Sequence, residues 1–285
     1  MLKVRLPVGA ALIALLATLL WLDFQWQGSR AAWLETGHIP GGFLLALFGM
    51  VVLVPCMVLE LTRLLRAGGV RVWPVLFSMP ISLAAFATVA LHGWHMDAWA
   101  RPAAIIMLIG LVPAIAALIH GNPAKGLAEI GRWILVGGWI GALPACWIAL
   151  RAHSPWWVLV AAVLAVKCND IGAYFAGSIR GRNPMALWIS PHKTWEGFAG
   201  GALCSIAAGA WVGSQIPAGV MMGVMFGVSI AILGPFGDLF ESVLKRQAGA
   251  KDSGNAIPGM GGVLDVLDSL LPTAPAALWL LAPAN

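Results

Sequence analysis

The segment Gly234–Ser269 reads GPFGDLFESVLKRQAGAKDSGNAIPGMGGVLDVLDS and holds a large share of the charge in an apolar chain. Its acidic and basic residues are Asp238, Glu241, Asp252, Asp265, Asp268, Lys245, Arg246 and Lys251. The whole chain of 285 residues has only 12 acidic and 17 basic residues. Because charge is costly in an apolar protein, this concentration indicates a functional site.

The composition around this segment excludes an ordinary soluble domain. Hydrophobic residues make up 60% of the chain and charged residues 10%, whereas about a quarter of a soluble domain is charged. The net charge of +5 bears on membrane topology and anionic headgroups, and no basic face or arm suggests nucleic-acid binding. The 4 cysteines show no metal-binding spacing, so we interpret them as buried apolar residues.

Hydropathy predicts an all-α polytopic membrane protein with about nine transmembrane helices. The apolar stretches are residues 7–22, 40–60, 72–92, 101–119, 132–150, 155–176, 198–214, 217–237 and 264–283. Lys3 and Arg5 precede the first stretch as in a signal peptide. The sequence WLDFQWQ follows instead of a small-residue cleavage site, so we expect an uncleaved span.

The basic residues predict the orientation of these spans. With the N-terminus in the cytoplasm, about 13 Lys and Arg residues fall on the cytoplasmic side and about three on the other. Lys167 lies within a span. We therefore predict an N-in, C-out protein of an inner membrane, with N-terminal helices over residues 1–150 and a catalytic domain over residues 151–285 whose site faces the cytoplasm.

Two polar groups in the N-terminal half have ordinary explanations. Glu60 lies three residues before Arg63, which favours a local ion pair on one helix. His92, His95 and Asp97 share a predicted external loop, where a metal site is the alternative to a solvated loop.

The sixth predicted span ends in the polar sequence KCNDIGAY, residues 167–174. Asp170 and Tyr174 are four residues apart and therefore share a helix face, and Lys167 precedes Asp170 by three. These residues form either a structural Lys–Asp pair or one wall of a polar site. The loop that follows adds Arg180, Arg182 and Lys193 to several glycines, which suits phosphate oxygens, although a positive-inside loop also explains the cations.

The charged segment itself predicts a helix followed by a glycine-rich loop. Asp238, Glu241, Ser242 and Lys245 have the spacing of one helical stripe, and the many Gly and Pro residues after Arg246 end the helix. The loop leads into a helix start at Val263, whose free N–H groups would form an anion site. Carboxylates beside an anion require a bridging cation, so the pattern suggests Mg²⁺ and phosphoryl or nucleotidyl transfer.

These residues resemble the phosphatidate cytidylyltransferase (CDP-diacylglycerol synthase) family. The matches to its signature are Ser242, Lys245, Arg246, Lys251, Asp252, Gly254, Ile257, Pro258, Gly259, Met260, Gly261, Gly262, Asp265 and Asp268. The segments around Asp170–Tyr174, Ser190–Gly197 and Gly237–Leu239 also look like family motifs. The resemblance covers residues 155–270, and the remainder of the chain is similar only in hydropathy.

The resemblance implies an enzyme that makes CDP-diacylglycerol and pyrophosphate from CTP and phosphatidic acid with Mg²⁺. It implies that Asp238 and Asp265 are metal ligands and that Lys193, Lys245, Arg246 and Lys251 contact phosphates. Asp252 and Asp268 would lie in or beside the site, with Asp268 a further candidate metal ligand. Our remaining substrate-binding candidates are Asp170, Tyr174, Ser242, Gly259, Gly261 and Gly262. A homodimer is an expectation from the family alone.

Two departures keep other functions open. Val266 stands where the signature has Arg, and His192 stands where a second Lys is usual. Losing the Arg removes a bidentate partner for phosphate, which favours a CTP-dependent enzyme with a different lipid phosphate or a polyprenol as acceptor. A transporter is a third hypothesis, but its charges would be expected near the midplane rather than at cytoplasmic helix ends.

Overall fold

The computed structural model describes residues 2–30, 42–69, 135–186 and 188–283, and nearly all of them are helical. Six described helices are long and apolar enough to cross a membrane: Pro7–Gln25, Phe43–Ala67, Trp156–Arg180, Trp195–Ser214, Gly219–Gln247 and Val263–Leu281. The predicted helical class is confirmed, and these six helices are candidate membrane spans. The predicted spans 72–92 and 101–119 lie outside the described residues, as does the loop with His92, His95 and Asp97.

The N-terminal elements in the described part of the chain are helical. Helix α1 covers Leu2–Arg30. Helix α2 (Phe43–Phe48) continues through π-helical turns at Gly49–Leu53 into α3 (Val54–Ala67). A π-helical segment at Leu135–Ala142 leads into α4 (Leu143–His153), so the predicted fifth span is helical from Leu135 onward.

The C-terminal elements carry the charged motifs. They are α5 (Trp156–Arg180), β1 (Pro184–Ala186), β2 (Ser190–Thr194), α6 (Trp195–Ser214), α7 (Gly219–Gln247), α8 (Val263–Leu267) and α9 (Leu270–Leu281). The two strands form an antiparallel hairpin in which Pro184 pairs with Thr194 and Ala186 with Ser190. This hairpin connects α5 to α6.

The most extensive helix contacts in the described part of the chain are those of α6 with α5 and with α7. Gly209 and Gly213 of α6 face Gly223 and Gly227 of α7, where a Cβ atom would overlap the opposite backbone. Small residues let helix backbones approach closely in a membrane protein, and this contact aligns the two helices. The buried core beside them includes Phe226 of α7, which has no exposed surface.

A buried ion pair closes one end of the bundle. Asp23 of α1 accepts hydrogen bonds from the Gly42 N–H at 3.0 and 2.9 Å, and its Oδ2 lies 2.9 Å from Arg151 of α4. The two side chains are 3% and 5% exposed. Gly9, near the other end of α1, lies beside Met260 of the glycine-rich loop. Because 14 helical residues separate Gly9 from Asp23, the charged segment and the ion pair lie about 20 Å apart.

Candidate active site

The predicted stripe on α7 is confirmed, because α7 runs without a break from Gly219 past Pro235 to Gln247. Asp238, Glu241 and Lys245 therefore occupy successive turns near its C-terminal end. The Lys245 ammonium lies 2.6 Å from Asp265 Oδ1 of α8 and 3.4 Å from Glu241 Oε1. Lys245 thus joins α7 to the short helix that follows the glycine-rich loop.

The β-hairpin brings a second lysine to the same end of α7. Lys193 of β2 donates a hydrogen bond to Asp238 Oδ2 at 2.9 Å, and both side chains are about a quarter exposed. Arg246 Nε contacts the Ile189 carbonyl at 3.4 Å. The hairpin therefore contacts α7 through Lys193 and through Arg246, which are both predicted to bind phosphate.

The start of α6 holds the hairpin in place. Thr194 Oγ1 accepts from the Gly197 N–H at 3.1 Å, as expected of a helix-capping residue. Glu196 accepts from the backbone N–H groups of Arg182 and Asn183. These contacts fix the junction between the hairpin and α6.

Helix α5 contributes a third lysine–carboxylate pair, Lys167 and Asp170. Lys167 lies 3.1 Å from Asp170 Oδ2, and Ser269 Oγ lies 3.1 Å from both side chains. Ser269 N–H donates to Asp268 Oδ1 at 2.7 Å. The Lys–Asp pair is present, and Ser269 connects it to the residues after α8. It therefore forms one wall of the polar cluster as well as a local ion pair.

Glu60 of α3 also enters this region, and its predicted ion pair with Arg63 is wrong. The Glu60 carboxylate instead accepts from the backbone N–H groups of Val263 and Leu264, each at 2.9 Å, and contacts Ser253 Oγ at 3.2 Å. Glu60 is 3% exposed. Its partners are far along the chain, so spacing on one helix could not indicate them.

The prediction of free N–H groups at the start of α8 is also wrong, because carboxylates of the protein already accept hydrogen bonds from them. Glu60 occupies those of Val263 and Leu264, and the Gly262 N–H donates to Asp265 Oδ2 at 2.8 Å. Asp265 Oδ2 also accepts from Ser253 N–H and Ser253 Oγ, each at 2.8 Å. The protein's own carboxylates fill the anion positions, and the glycines shape the loop around them.

Other predicted site residues lie at the margin of this cluster. Tyr174 is 70% exposed and packs against the Phe175 ring, so it does not share the polar contacts of Asp170. Lys251 and Asp252 are exposed and Ser242 is partly buried; none of the three has a hydrogen bond or ion pair within the described residues. Gly259 is exposed, and Gly261 has a φ of 101° that favours glycine.

The cluster is rich in unbalanced negative charge. Asp268 lies near enough to Asp170 and Asp238 for their negative charges to repel. The negative charge of Glu241 is likewise repelled by Asp265 and Asp268. The cations that contact these carboxylates are Lys167, Lys193 and Lys245. Asp238 Oδ1 and both Glu241 carboxylate oxygens are buried without a hydrogen-bond partner in the described residues. The 3.4 Å contact of Glu241 with Lys245 is an ion pair without hydrogen-bond geometry.

These oxygens fit a divalent cation that binds together with a phosphate. In the described part of the chain, no three His, Cys, Asp or Glu side chains are close enough to hold a metal by themselves. Mg²⁺, however, is usually bound by one or two carboxylates, water and substrate phosphates. Asp238 Oδ1, which has no partner in the described residues, could serve as such a ligand, and neighbouring Asp268 could serve as a second carboxylate.

Sequence reasoning missed Glu60, Ser253 and Ser269 as parts of this region. Glu60 was recognisable only as an acid at the end of an apolar stretch, which is unusual in a membrane helix. Ser253 and Ser269 adjoin predicted site residues, but serine is too common in loops and helix ends to carry a signal.

Comparison with known proteins gives a consistent result. The model of a family described as the cytidylyltransferase family matches residues 33–283. A phosphatidate cytidylyltransferase of Brucella suis is 35% identical over 231 residues, which is 73% of this chain and 83% of that protein.

Two further relatives match shorter regions. A phosphatidate cytidylyltransferase of Mycobacterium bovis is 35% identical over 171 residues, covering 56% of this chain and 53% of that protein. One of Helicobacter pylori is 44% identical over 116 residues, covering 40% and 42%. The matched region thus spans about half the length of these two relatives.

Proposed function

The chain belongs to the cytidylyltransferase family, and we propose that it transfers the cytidylyl group of CTP to phosphatidic acid, forming CDP-diacylglycerol and pyrophosphate. One observation carries this proposal. Lysines and carboxylates from α5, the hairpin, α7 and α8 converge at one end of the bundle, where Asp238 Oδ1 has no hydrogen-bond partner in the described residues. Such a site can accept a metal-bound triphosphate next to the lipid headgroup.

In the proposed reaction, a phosphate oxygen of the lipid attacks the α-phosphorus of CTP. A new P–O bond forms as the bond to the β-phosphate oxygen breaks, and the electron pair leaves with pyrophosphate. A phosphate monoester has a second pKa near 6, so the nucleophile is already ionised at neutral pH and requires no general base.

The basic residues would bind the phosphates throughout this reaction. Lys193 and Lys245 would move from their carboxylate partners to phosphate oxygens and neutralise the charge on the leaving pyrophosphate. Arg246 and the exposed Lys251 would complete the phosphate contacts, with Asp252 beside them. Ser242, Asp170 and Tyr174 would line the approach of the substrates, and Gly259, Gly261 and Gly262 would shape the loop.

Mg²⁺ would be held by Asp238 and Asp268, and it would supply charge neutralisation to the triphosphate when bound. Asp265 would contribute Oδ1, the oxygen that Lys245 now contacts, as a further ligand. Asp265 Oδ2 would keep its three hydrogen bonds from Ser253 and Gly262, so the same side chain would fix the loop.

We also propose the nine-span, N-in/C-out topology, and contacts at the two ends of the bundle support it. Glu60 lies at the end with the polar cluster, and so does Trp139, whose ring is 4.5 Å from that of Phe240. The proposed topology requires an even number of spans between Glu60 and Trp139, since both lie at this end. The two apolar stretches 72–92 and 101–119 meet that requirement.

The excess of basic residues on the side of the cluster favours a site that faces the cytoplasm, in a bacterial inner membrane. The division into N-terminal helices (1–150) and a catalytic part (151–285) agrees with the position of the motifs, although Glu60 links the two. The homodimer is a further proposal, which native mass spectrometry from detergent would test.

The decisive experiment is a product assay with purified protein in detergent. Labelled CTP, phosphatidic acid and Mg²⁺ should yield pyrophosphate and a CDP-lipid, and EDTA should abolish both. A folded sample that forms no CDP-lipid from phosphatidic acid would contradict the proposal.

Val266 favours a second candidate, the same chemistry on another acceptor. The residue is half-buried in α8 beside Asp265, where the family signature has an arginine. A panel of lipid phosphates and a polyprenol, each with labelled CTP, separates the two candidates by their relative kcat/KM. Substrate flux into proteoliposomes without CTP consumption would instead indicate a transporter.

A further inference from the structure

Glu60 is a buried carboxylate from the N-terminal half, and its side-chain hydrogen bonds within the described residues go to the C-terminal half. It accepts from the N–H groups of Val263 and Leu264 and contacts Ser253 Oγ. With 3% of its surface exposed, Glu60 is too enclosed to bind a substrate. Its contacts therefore act on the loop and on α8.

The Glu60 contacts suit a negatively charged side chain. The first N–H groups of a helix have no partner within it and carry a partial positive charge. Hydrogen bonds to an ionised acceptor are stronger than those between neutral groups. Glu60 satisfies two such N–H groups at the start of α8, so it fixes where that helix begins.

The loop leaves room for the Glu60 carboxylate. A Cβ atom on Gly262 would overlap Glu60 Oε2 and Ser253 Oγ, and one on Gly254 would lie 2.9 Å from Glu60 Oε1. Two glycines of the loop thus enclose one carboxylate from α3. This explains their presence better than a free anion site does.

Ser253 connects Glu60 to the catalytic cluster. Its hydroxyl lies 3.2 Å from Glu60 Oε2 and 2.8 Å from Asp265 Oδ2. Asp265 in turn contacts Lys245 of α7. A continuous series of polar contacts, with the one Ser253 hydroxyl between two carboxylates, therefore runs from α3 to Asp265 and Lys245, the residues proposed to bind metal and phosphate.

We propose that Glu60 is a positioning residue of the transferase, which holds the glycine-rich loop and α8 so that Asp265 and Asp268 face the substrates. This inference rests on the proposed function. Partners of a metal ligand that do not touch the metal typically change metal affinity or activity by 10- to 100-fold. We expect Glu60→Gln to lower kcat about 10-fold and to raise the Mg²⁺ concentration for half-maximal rate.

The test combines kinetics with hydrogen–deuterium exchange of the full-length protein in detergent. Glu60→Gln keeps the shape and one acceptor oxygen, and Glu60→Leu removes both acceptors. Ser253→Ala removes only the hydroxyl that lies between Glu60 and Asp265. Asp23→Asn is the matched control. Asp23 is also a buried carboxylate that accepts hydrogen bonds from a backbone N–H group, but it lies at the opposite end of the bundle.

Support requires faster exchange in peptides covering residues 250–264 of Glu60→Gln, together with the lower kcat and raised Mg²⁺ requirement. Glu60→Leu should show larger effects and Asp23→Asn none of these. Unchanged exchange, or faster exchange with unchanged kinetics per folded enzyme, would overturn the inference. A folded wild-type protein without CDP-lipid product would overturn the proposed function, while exchange would still decide whether Glu60 holds the loop.

Discussion

The two ends of the helix bundle use buried charge in opposite ways. At one end, Asp23 uses both oxygens for hydrogen bonds or ion pairs with Gly42, Leu44 and Arg151, and its side chain is 3% exposed. At the other end, Asp238 Oδ1 has no hydrogen-bond partner in the described residues, and the Asp238 side chain is 26% exposed.

This difference separates a structural role from a chemical one. A buried carboxylate with complete hydrogen bonding has no capacity for a ligand, and removing it mainly affects folding. Asp238 is only partly exposed, and its unused oxygen is buried near other acids, which is costly unless a cation joins it. We therefore propose the polar cluster as the functional end, with the Asp23–Arg151 pair as its internal control.

The largest expected effect comes from Asp238→Asn. The change keeps the side-chain shape but removes the charge of a proposed metal ligand, so kcat should fall about 1,000-fold, equivalent to about 4 kcal/mol in the barrier. Product formation from labelled CTP measures this. Turnover within a few fold of wild type would remove Asp238 from the metal site.

Asp23→Asn should have the converse effect. Removing the charge of Asp23 leaves the buried positive charge of Arg151 without its ion-pair partner. The free energy of unfolding should therefore fall by about 3 kcal/mol. The kcat per folded enzyme should not change. Graded SDS denaturation measures the first quantity, and an equal loss of kcat would show that the two ends are not independent.

Gly262→Ala should disturb the functional end without altering charge. The added methyl would overlap Glu60 and Ser253, so the loop must shift, and we expect about a 10-fold loss of kcat. Gly138→Ala is the matched control, because no described atom lies within 4 Å of its Cβ position. Equal activities of the two variants would contradict the proposed tight enclosure of Glu60.

The smallest expected effect is that of Val266→Arg. The guanidinium adds a phosphate partner beside Asp265 and should raise kcat/KM for phosphatidic acid about threefold. The acceptor panel measures the change. A gain for a different lipid phosphate, with a loss for phosphatidic acid, would favour the alternative acceptor.

The sequence predicted what depends on spacing along one helix. The spans that became α5, α6 and α7, the stripe from Asp238 to Lys245 and the helix start at Val263 follow from hydropathy and periodicity, and all are present. Hydrophobic length and helical repeat are local properties, so they can be read without knowledge of the packing.

The predictions that proved wrong concern contacts between residues distant in the sequence. Glu60 was assigned to its neighbour Arg63 because both lie on one helix, yet its partners are Val263 and Leu264. The same missing contact led to the prediction of free N–H groups. Tyr174 was placed with Asp170 by the four-residue spacing, but it is exposed beside Phe175. Periodicity shows which residues share a face but not what that face meets.

The bond between Glu60 and Val263 has a consequence for biosynthesis, because 203 residues separate its two ends. At translation rates of roughly 5–20 residues per second, the carboxylate enters the membrane some 10–40 s before its amide partners are made. The nascent chain must therefore hold this acid without its native partners until α8 has been made. Catalytic competence would then appear only after α8, so that a chain terminated before Val263 would consume no CTP.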